Sequence, residues 1–476
     1  MSMKNIESGV IAAVIFMSGG LLCTPSFALD LETGVDVFAN PTTKIHSLHR
    51  LYAGHRITEN FSFGPAFYSA STGNAGGAFF WGIEAVKKIP LSRGMKLTSS
   101  GFLGGGGGAS EVKGDGTMYR GSAGLEFTIT DRVDLSLGGS YVQIFGSKVD
   151  DTAVNLGLNY HVSSNRQKNT PIRVPIDQFS FSITQAYFSA AKNRSGAAQS
   201  DLRLLGSEIT SLVHPNFEFL FSADGAISGG DGYMQVAAGA RYRAQISTAS
   251  IFAQSTLGFG GGGKVDTGGG TMTGLGIGVS YPVSKNLDFD LSYGTNKSLD
   301  SNISSKIVQA RLTNILNRAS PTQTHTRARN MRYSVGLSQQ IPNATYMKSG
   351  NNAGISPWMQ ESAIDLPLSD HIYVTGNAQT TVKGGVAGYA VGLIGLGYEH
   401  DIVENWTLSF EAHGGAAGGG GVDVGDGLVS SVRAEIDYII SRYSSISVAV
   451  GKFKSLNGGV DAAIFQFGLK TDISTR

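Results

Sequence analysis

Residues 271–294 read TMTGLGIGVSYPVSKNLDFDLSYG. Leu275, Ile277, Val279 and Tyr281 alternate with Gly274, Gly276, Gly278 and Ser280. After the polar turn Ser284-Lys285-Asn286, Leu287, Phe289, Leu291 and Tyr293 alternate with Asp288, Asp290, Ser292 and Gly294. Successive side chains of a strand point to opposite faces, so a period of two marks a sheet with one apolar and one polar face. The stretch predicts an antiparallel hairpin. Ala434, Ile436 and Tyr438, set against Arg433, Glu435 and Asp437, repeat the pattern later in the chain.

The hairpin belongs to a threefold repeat. A glycine run from Gly104 to Gly108 is followed by a polar stretch ending at Gly116. The run recurs from Gly260 to Gly263 with its end at Gly270, and again from Gly418 to Gly421 with its end at Gly427. An alternating strand precedes each run, and two strands joined by a short turn follow it. Such self-similarity is the signature of repeated structural units. Each unit holds eight strands by pattern; in the middle unit they lie near 179–188, 201–212, 217–227, 233–246, 250–260, 272–283, 287–294 and 306–315. No helical period is sustained after the first residues.

Composition narrows the class. The chain has 476 residues, of which 66 are glycine and only 15% are charged, with a net charge of +1. No basic field for nucleic acid is implied. Lys4, the apolar stretch from Val10 to Cys23 and the small-residue site Ser26-Phe27-Ala28 have the layout of a cleaved secretory signal peptide. Cleavage after Ala28 would remove the one cysteine, leaving no disulfide to staple the fold. The expected organisation is a signal peptide at 1–28, repeat units at 29–162, 177–315 and 332–476, and linkers at 163–176 and 316–331.

Charges of both signs gather on one face of the middle unit: Glu218, Asp224, Arg241, Arg243, Asp288, Asp290 and Arg311. Strands that are apolar outside and polar inside, joined alternately by tight turns and longer glycine-rich loops, are the signature of a transmembrane β-barrel. Closure also satisfies every backbone group in lipid. Tyr187, Phe188, Tyr281, Tyr293, Trp406 and Tyr438 fit interfacial aromatic girdles. On these residues the chain resembles the bacterial outer-membrane β-barrel superfamily, and each unit is similar to its small eight-stranded members. The resemblance implies residence in the outer membrane, insertion by the barrel-insertion machinery and an aromatic on the closing strand. Phe465 and Phe467 occupy that strand, with Lys470 to Arg476 beyond it.

The expected fold is therefore all-β: an antiparallel transmembrane β-barrel of about 24 strands built from three eight-stranded repeats, with three tandem eight-stranded barrels as the alternative. The expected function is a passive channel or export pore that selects solutes by size and charge. Arg241, Arg243, Asp288, Asp290, Glu411, Arg433, Glu435 and Asp437 would line its lumen. Gly104, Gly108, Gly260, Gly263, Gly418 and Gly421 would form a glycine-rich mouth. The alternative is a structural or surface-interaction protein of closed small barrels with partner-binding external loops.

Other constellations are weaker. Lys264 follows one glycine run, but no helix follows, so a phosphate-cradling loop is not formed. His46, His49 and His55 are spaced by three and six, so the three do not share one strand face. Ser409, Glu411 and His413 do share one, without a nucleophile-elbow sequence. No enzyme, cofactor or metal is expected.

Overall fold

In the computed structural model the described residues are 29–131, 133–162, 173–174, 176–189, 191–315, 330–343, 345–352, 355–441 and 444–475. The proposed signal peptide and most of both linkers fall outside them. The first eight strands are β1 (Leu29–Phe38), β2 (Ile45–Thr58), β3 (Phe61–Gly73), β4 (Phe79–Ser92), β5 (Met95–Gly107), β6 (Thr117–Thr128), β7 (Val133–Ile144) and β8 (Asp150–Val162). A two-residue strand, β9 (Arg173–Val174), precedes the second set. That set is β10 (Gln178–Phe188), β11 (Leu202–His214), β12 (Phe217–Ser228), β13 (Met234–Ile246), β14 (Ala249–Gly261), β15 (Thr271–Ser284), β16 (Leu287–Ser298) and β17 (Ser304–Ile315). The third is β18 (Asn330–Pro342), β19 (Trp358–Pro367), β20 (Ile372–Lys383), β21 (Ala390–Val403), β22 (Trp406–Gly418), β23 (Leu428–Ser441), β24 (Ser444–Ser455) and β25 (Asp461–Thr475).

Each strand pairs antiparallel with its sequence neighbours, and each set closes on itself. β1 pairs with β8 over Leu29–Phe38, β10 with β17 from Gln178 to Phe188, and β18 with β25 from Asn330 to Pro342. Three separate eight-stranded barrels result, so the expectation of one barrel of about 24 strands gives way to the tandem alternative. Eight strands already satisfy closure and leave an interior that side chains can fill. The wider ring would have left its lumen for water or a plug. β9 adds to the edge of the third sheet by a parallel pairing with Ser474 and Thr475 of β25.

The barrels are inside-out relative to a soluble protein. Leu275, Ile277, Val279 and Tyr281 of β15 are all more than half exposed on the outer face. Phe289, Leu291, Ile436 and Tyr438 are exposed likewise, while Glu84, Arg241, Arg311, Glu361 and Lys470 are buried. This is the pattern of a transmembrane barrel, whose outer face meets lipid. Trp406 and Tyr438 are register partners at one rim, their ring centroids 4.9 Å apart. Within each barrel the longer connections lie at one end and the short turns at the other, and the first and last strands of each barrel have their outer ends at the short-turn end.

Candidate functional site: filled lumens and a glycine-clasped rim

The inward polar residues meet across each lumen. In the second barrel the Arg241 guanidinium donates to Glu208 at 2.7 Å and to Glu218 at 3.1 Å. Arg311 donates to the other oxygen of Glu208 at 2.6 Å and to Asp290 at 3.1 Å, and Arg243 to Glu218 at 2.8 Å. The ring of Phe252 sits among all three guanidiniums, 5.1 to 5.6 Å from each. Arg241 and Arg311 are each 1% exposed. Asp288 lies on the same inward row at partial exposure. Charges this deep must be paired, and here each cation bridges carboxylates from different strands.

The other lumens are bridged by different residues. In the first, Arg120 makes a two-pronged contact with Asp36, at 2.7 and 2.9 Å. Arg50 joins Glu32 to Glu84, and Lys96 joins Glu126 to Asp134. In the third, Arg433 donates to Glu361 at 2.6 Å and to Gln466 at 2.7 Å, and Lys470 contacts Glu435 and Asp437. The Tyr373 hydroxyl donates to Glu411 at 2.8 Å. Glu126, Asp134 and His161 converge closely enough to suggest metal ligands. Lys96 Nζ already lies 2.9 and 2.6 Å from the two carboxylates, filling the place of the cation.

Ser409 and His413 both point inward, but four residues along one strand separate them by about 13 Å. His413 Nε2 lies 3.5 Å from Glu411 Oε2, but neither ring nitrogen is hydrogen-bonded to a hydroxyl, so the acid and the histidine activate no nucleophile in this arrangement.

The glycine runs occupy two kinds of position. Gly104, Gly260 and Gly418 lie in the barrel walls, on β5, β14 and β22, whereas Gly108, Gly263 and Gly421 lie in the hairpins beyond. Each of these hairpins enters a corner of a different barrel. The β14–β15 hairpin enters the β3–β4 corner of the first barrel: Gly76 N donates to Gly268 O at 2.8 Å, and Thr271 Oγ1 to Ser71 O at 3.0 Å. The β5–β6 hairpin enters the β20–β21 corner of the third: Gly388 N donates to Gly106 O at 2.9 Å, Thr117 Oγ1 to Val382 O at 2.5 Å, and Asp115 accepts from Gly384 and Gly385. The β22–β23 hairpin enters the β12–β13 corner of the second, where Gly232 lies against Gly418 and Gly419. Three head-to-tail contacts thus close a ring, as heterologous interfaces do when their rotation completes a circle.

One glycine per corner makes this approach feasible. Gly77, Gly232 and Gly388 have φ of +91°, +79° and +80°, a region that side chains disfavour. A Cβ on Gly77 would lie 2.3 Å from the backbone nitrogen of Gly262, and one on Gly388 would lie 2.8 Å from that of Gly108. These corners were not singled out above, although their signal was present. Asn74–Ala78, Gly229–Tyr233 and Gly384–Tyr389 repeat at spacings of 155 and 156 between equivalent glycines. Glu208, Glu361 and Lys470, which complete the lumen networks, were also missed.

No protein-family model matches the chain, and no curated protein matches it. Among solved structures, similarity is reported to the ferric enterobactin receptor PfeA of Pseudomonas aeruginosa, at 11% identity over 95% of this chain and 82% of that one, with a TM-score of 0.30. OccK11 (OpdR) of Pseudomonas aeruginosa matches at 11% identity over 94% and 96%, with a TM-score of 0.24. A de novo designed transmembrane β-barrel matches at 9% identity over 32% of this chain and 100% of its own, with a TM-score of 0.22.

Proposed function

We propose that this chain is an outer-membrane protein that is exported, inserted by the barrel-insertion machinery and held in the membrane by lipid around three small barrels. It acts at its loop-end rim as a structural or surface-interaction protein. The observation that carries this reading is the set of buried ion pairs crossing all three lumens. An eight-stranded interior is just wide enough for side chains, and here Arg241, Arg311, Arg120, Arg433 and Lys470 occupy it. The rim, by contrast, is braced by three backbone-to-backbone contacts, which hold the long loops of all the barrels in one arrangement. No catalytic step is part of this reading.

One observation favours the passive channel as a second reading, confined to the third barrel. Ser409, Ser431, both ring nitrogens of His413, and Nε and Nη2 of Arg433 are buried there without a hydrogen-bond partner. Buried polar groups of this kind are satisfied by water, and a file of water is the beginning of a polar path.

Conductance of the full-length protein in a planar bilayer tests both readings. Closed lumens predict insertion without stepwise current. Stable openings that change size in Arg433→Ala would establish the channel and overturn the first reading. Failure to insert would overturn the membrane assignment.

A further inference from the structure

The three junctions are alike in backbone and unlike in chemistry. Where the corner of the second barrel has Asp231, the repeat places Gly76 in the first barrel and Ala387 in the third. Gly76 is covered by Arg194, whose Nη2 donates to its carbonyl at 3.1 Å. Ala387 is buried in the apolar cluster beneath the first barrel's loops. At the junction of the second and third barrels a carboxylate enters instead, and a cavity of about 540 Å³ lies beside it. That volume is in the range of small-molecule sites.

The lining contains no aliphatic or aromatic side chain. It consists of glycine backbone together with Asn193, Gln199, Ser200, Asp231, Lys264, Lys348 and Asp426. Gln199 is 8% exposed, its Nε2 donates to Ser200 O at 2.9 Å, and its Oε1 is buried with no protein partner. That acceptor lies beneath the lining surface, so Gln199 serves the cavity as part of its polar wall. Lys348, half exposed, pairs with Asp231 across the junction, and its backbone nitrogen donates to Gly421 O at 2.9 Å.

We propose that this cavity binds a neutral, polyhydroxylated ligand, a saccharide. Two ammoniums and two carboxylates line it, so neither an anion nor a cation gains a net field. Amide, hydroxyl, carboxylate and backbone groups supply both donors and acceptors at short range, which is what a row of hydroxyls needs. The proposal rests on the surface-interaction reading insofar as the loop end faces outward.

The test uses the full chain in detergent micelles on an array of neutral oligosaccharides of glucose, galactose, mannose and N-acetylglucosamine, with inorganic phosphate and calcium as comparison probes. Binding of a neutral saccharide is expected, at least tenfold weaker in Gln199→Ala and in Asp231→Asn. It should be unchanged in Glu111→Gln, which alters a loop of the first barrel. Absence of saccharide binding by folded protein, indifference to the two cavity variants, or preference for phosphate or calcium would each overturn the proposal. Saccharide binding by a conducting protein would refute the closed-lumen reading and leave this one standing. A silent bilayer with no saccharide binding would do the reverse.

Discussion

Glu208→Ala is the sharpest probe of what holds the second barrel together. One carboxylate serves two guanidiniums, taking Arg241 at 2.7 and 2.9 Å and Arg311 at 2.6 Å. Breaking a buried pair by removing one partner costs about 3–5 kcal/mol, because a charge is left uncompensated. Here neither arginine is stranded completely: Arg241 keeps Glu218 and Arg311 keeps Asp290, each at 3.1 Å. The lower end, about 3 kcal/mol, is therefore expected, roughly a hundredfold in the folded-to-unfolded ratio. Glu208→Gln preserves the volume and one acceptor, and should lose about half as much. The assay is urea unfolding in micelles followed by circular dichroism and by tryptophan fluorescence. Trp81, Trp358 and Trp406 lie in the first and third barrels, so fluorescence reports on those two alone. In Glu208→Ala the dichroism should show an early transition that fluorescence does not follow. A dichroism curve superimposed on the parent's would refute the reasoning, since the network would then contribute nothing measurable.

Leu275, 62% exposed on the outer face, should tolerate charge badly if lipid surrounds it. Leu275→Arg is expected to cost about 2–4 kcal/mol in vesicles near the midplane, whereas a water-facing site would show almost no change. At the first corner, Gly77→Ala meets both a positive φ, worth about 1–2 kcal/mol, and the backbone of Gly262. A disulfide engineered through Ser71→Cys and Thr271→Cys should form in the parent and lose yield once Gly77→Ala is added. At the third junction, burial pushes the Asp231 carboxyl above its usual range, with Asp423 and Asp426 adding to the rise and Lys348 opposing it. A raised carboxyl favours the folded state when protonated. Its contribution is complete below the unfolded value near 3.8 and fades as pH climbs through the folded one. Asp231→Asn should thus leave stability at neutral pH equal or higher and flatten this part of the pH profile; a marked loss at pH 7 would contradict the assignment.

Much of the architecture was legible in the chain because a strand's two faces write themselves as alternation. The eight segments read in the middle unit differ from β10–β17 by no more than a few residues at any end. Leu275, Ile277 and Val279 announced an apolar face, and the charges opposite them announced a polar one. Face assignment needs only the pleat, which is local.

The number of barrels was not legible, because closure depends on which strand a terminal strand meets. β10 pairs with β17 across more than a hundred residues, and no local pattern distinguishes that partner from the last strand of the preceding unit. The same holds for the sites. Arg241, Arg243 and Asp290 could be placed on an inward face, but whether that face was wet or filled depended on Glu208 and Arg311 reaching across a lumen of a particular width. The glycine runs read as a glycine-rich mouth; they became a clasp once Gly77, Gly232 and Gly388 were brought against them. Alternation along a strand is a property of the covalent chain. Pairing across a lumen or a junction exists only after closure has set the distances.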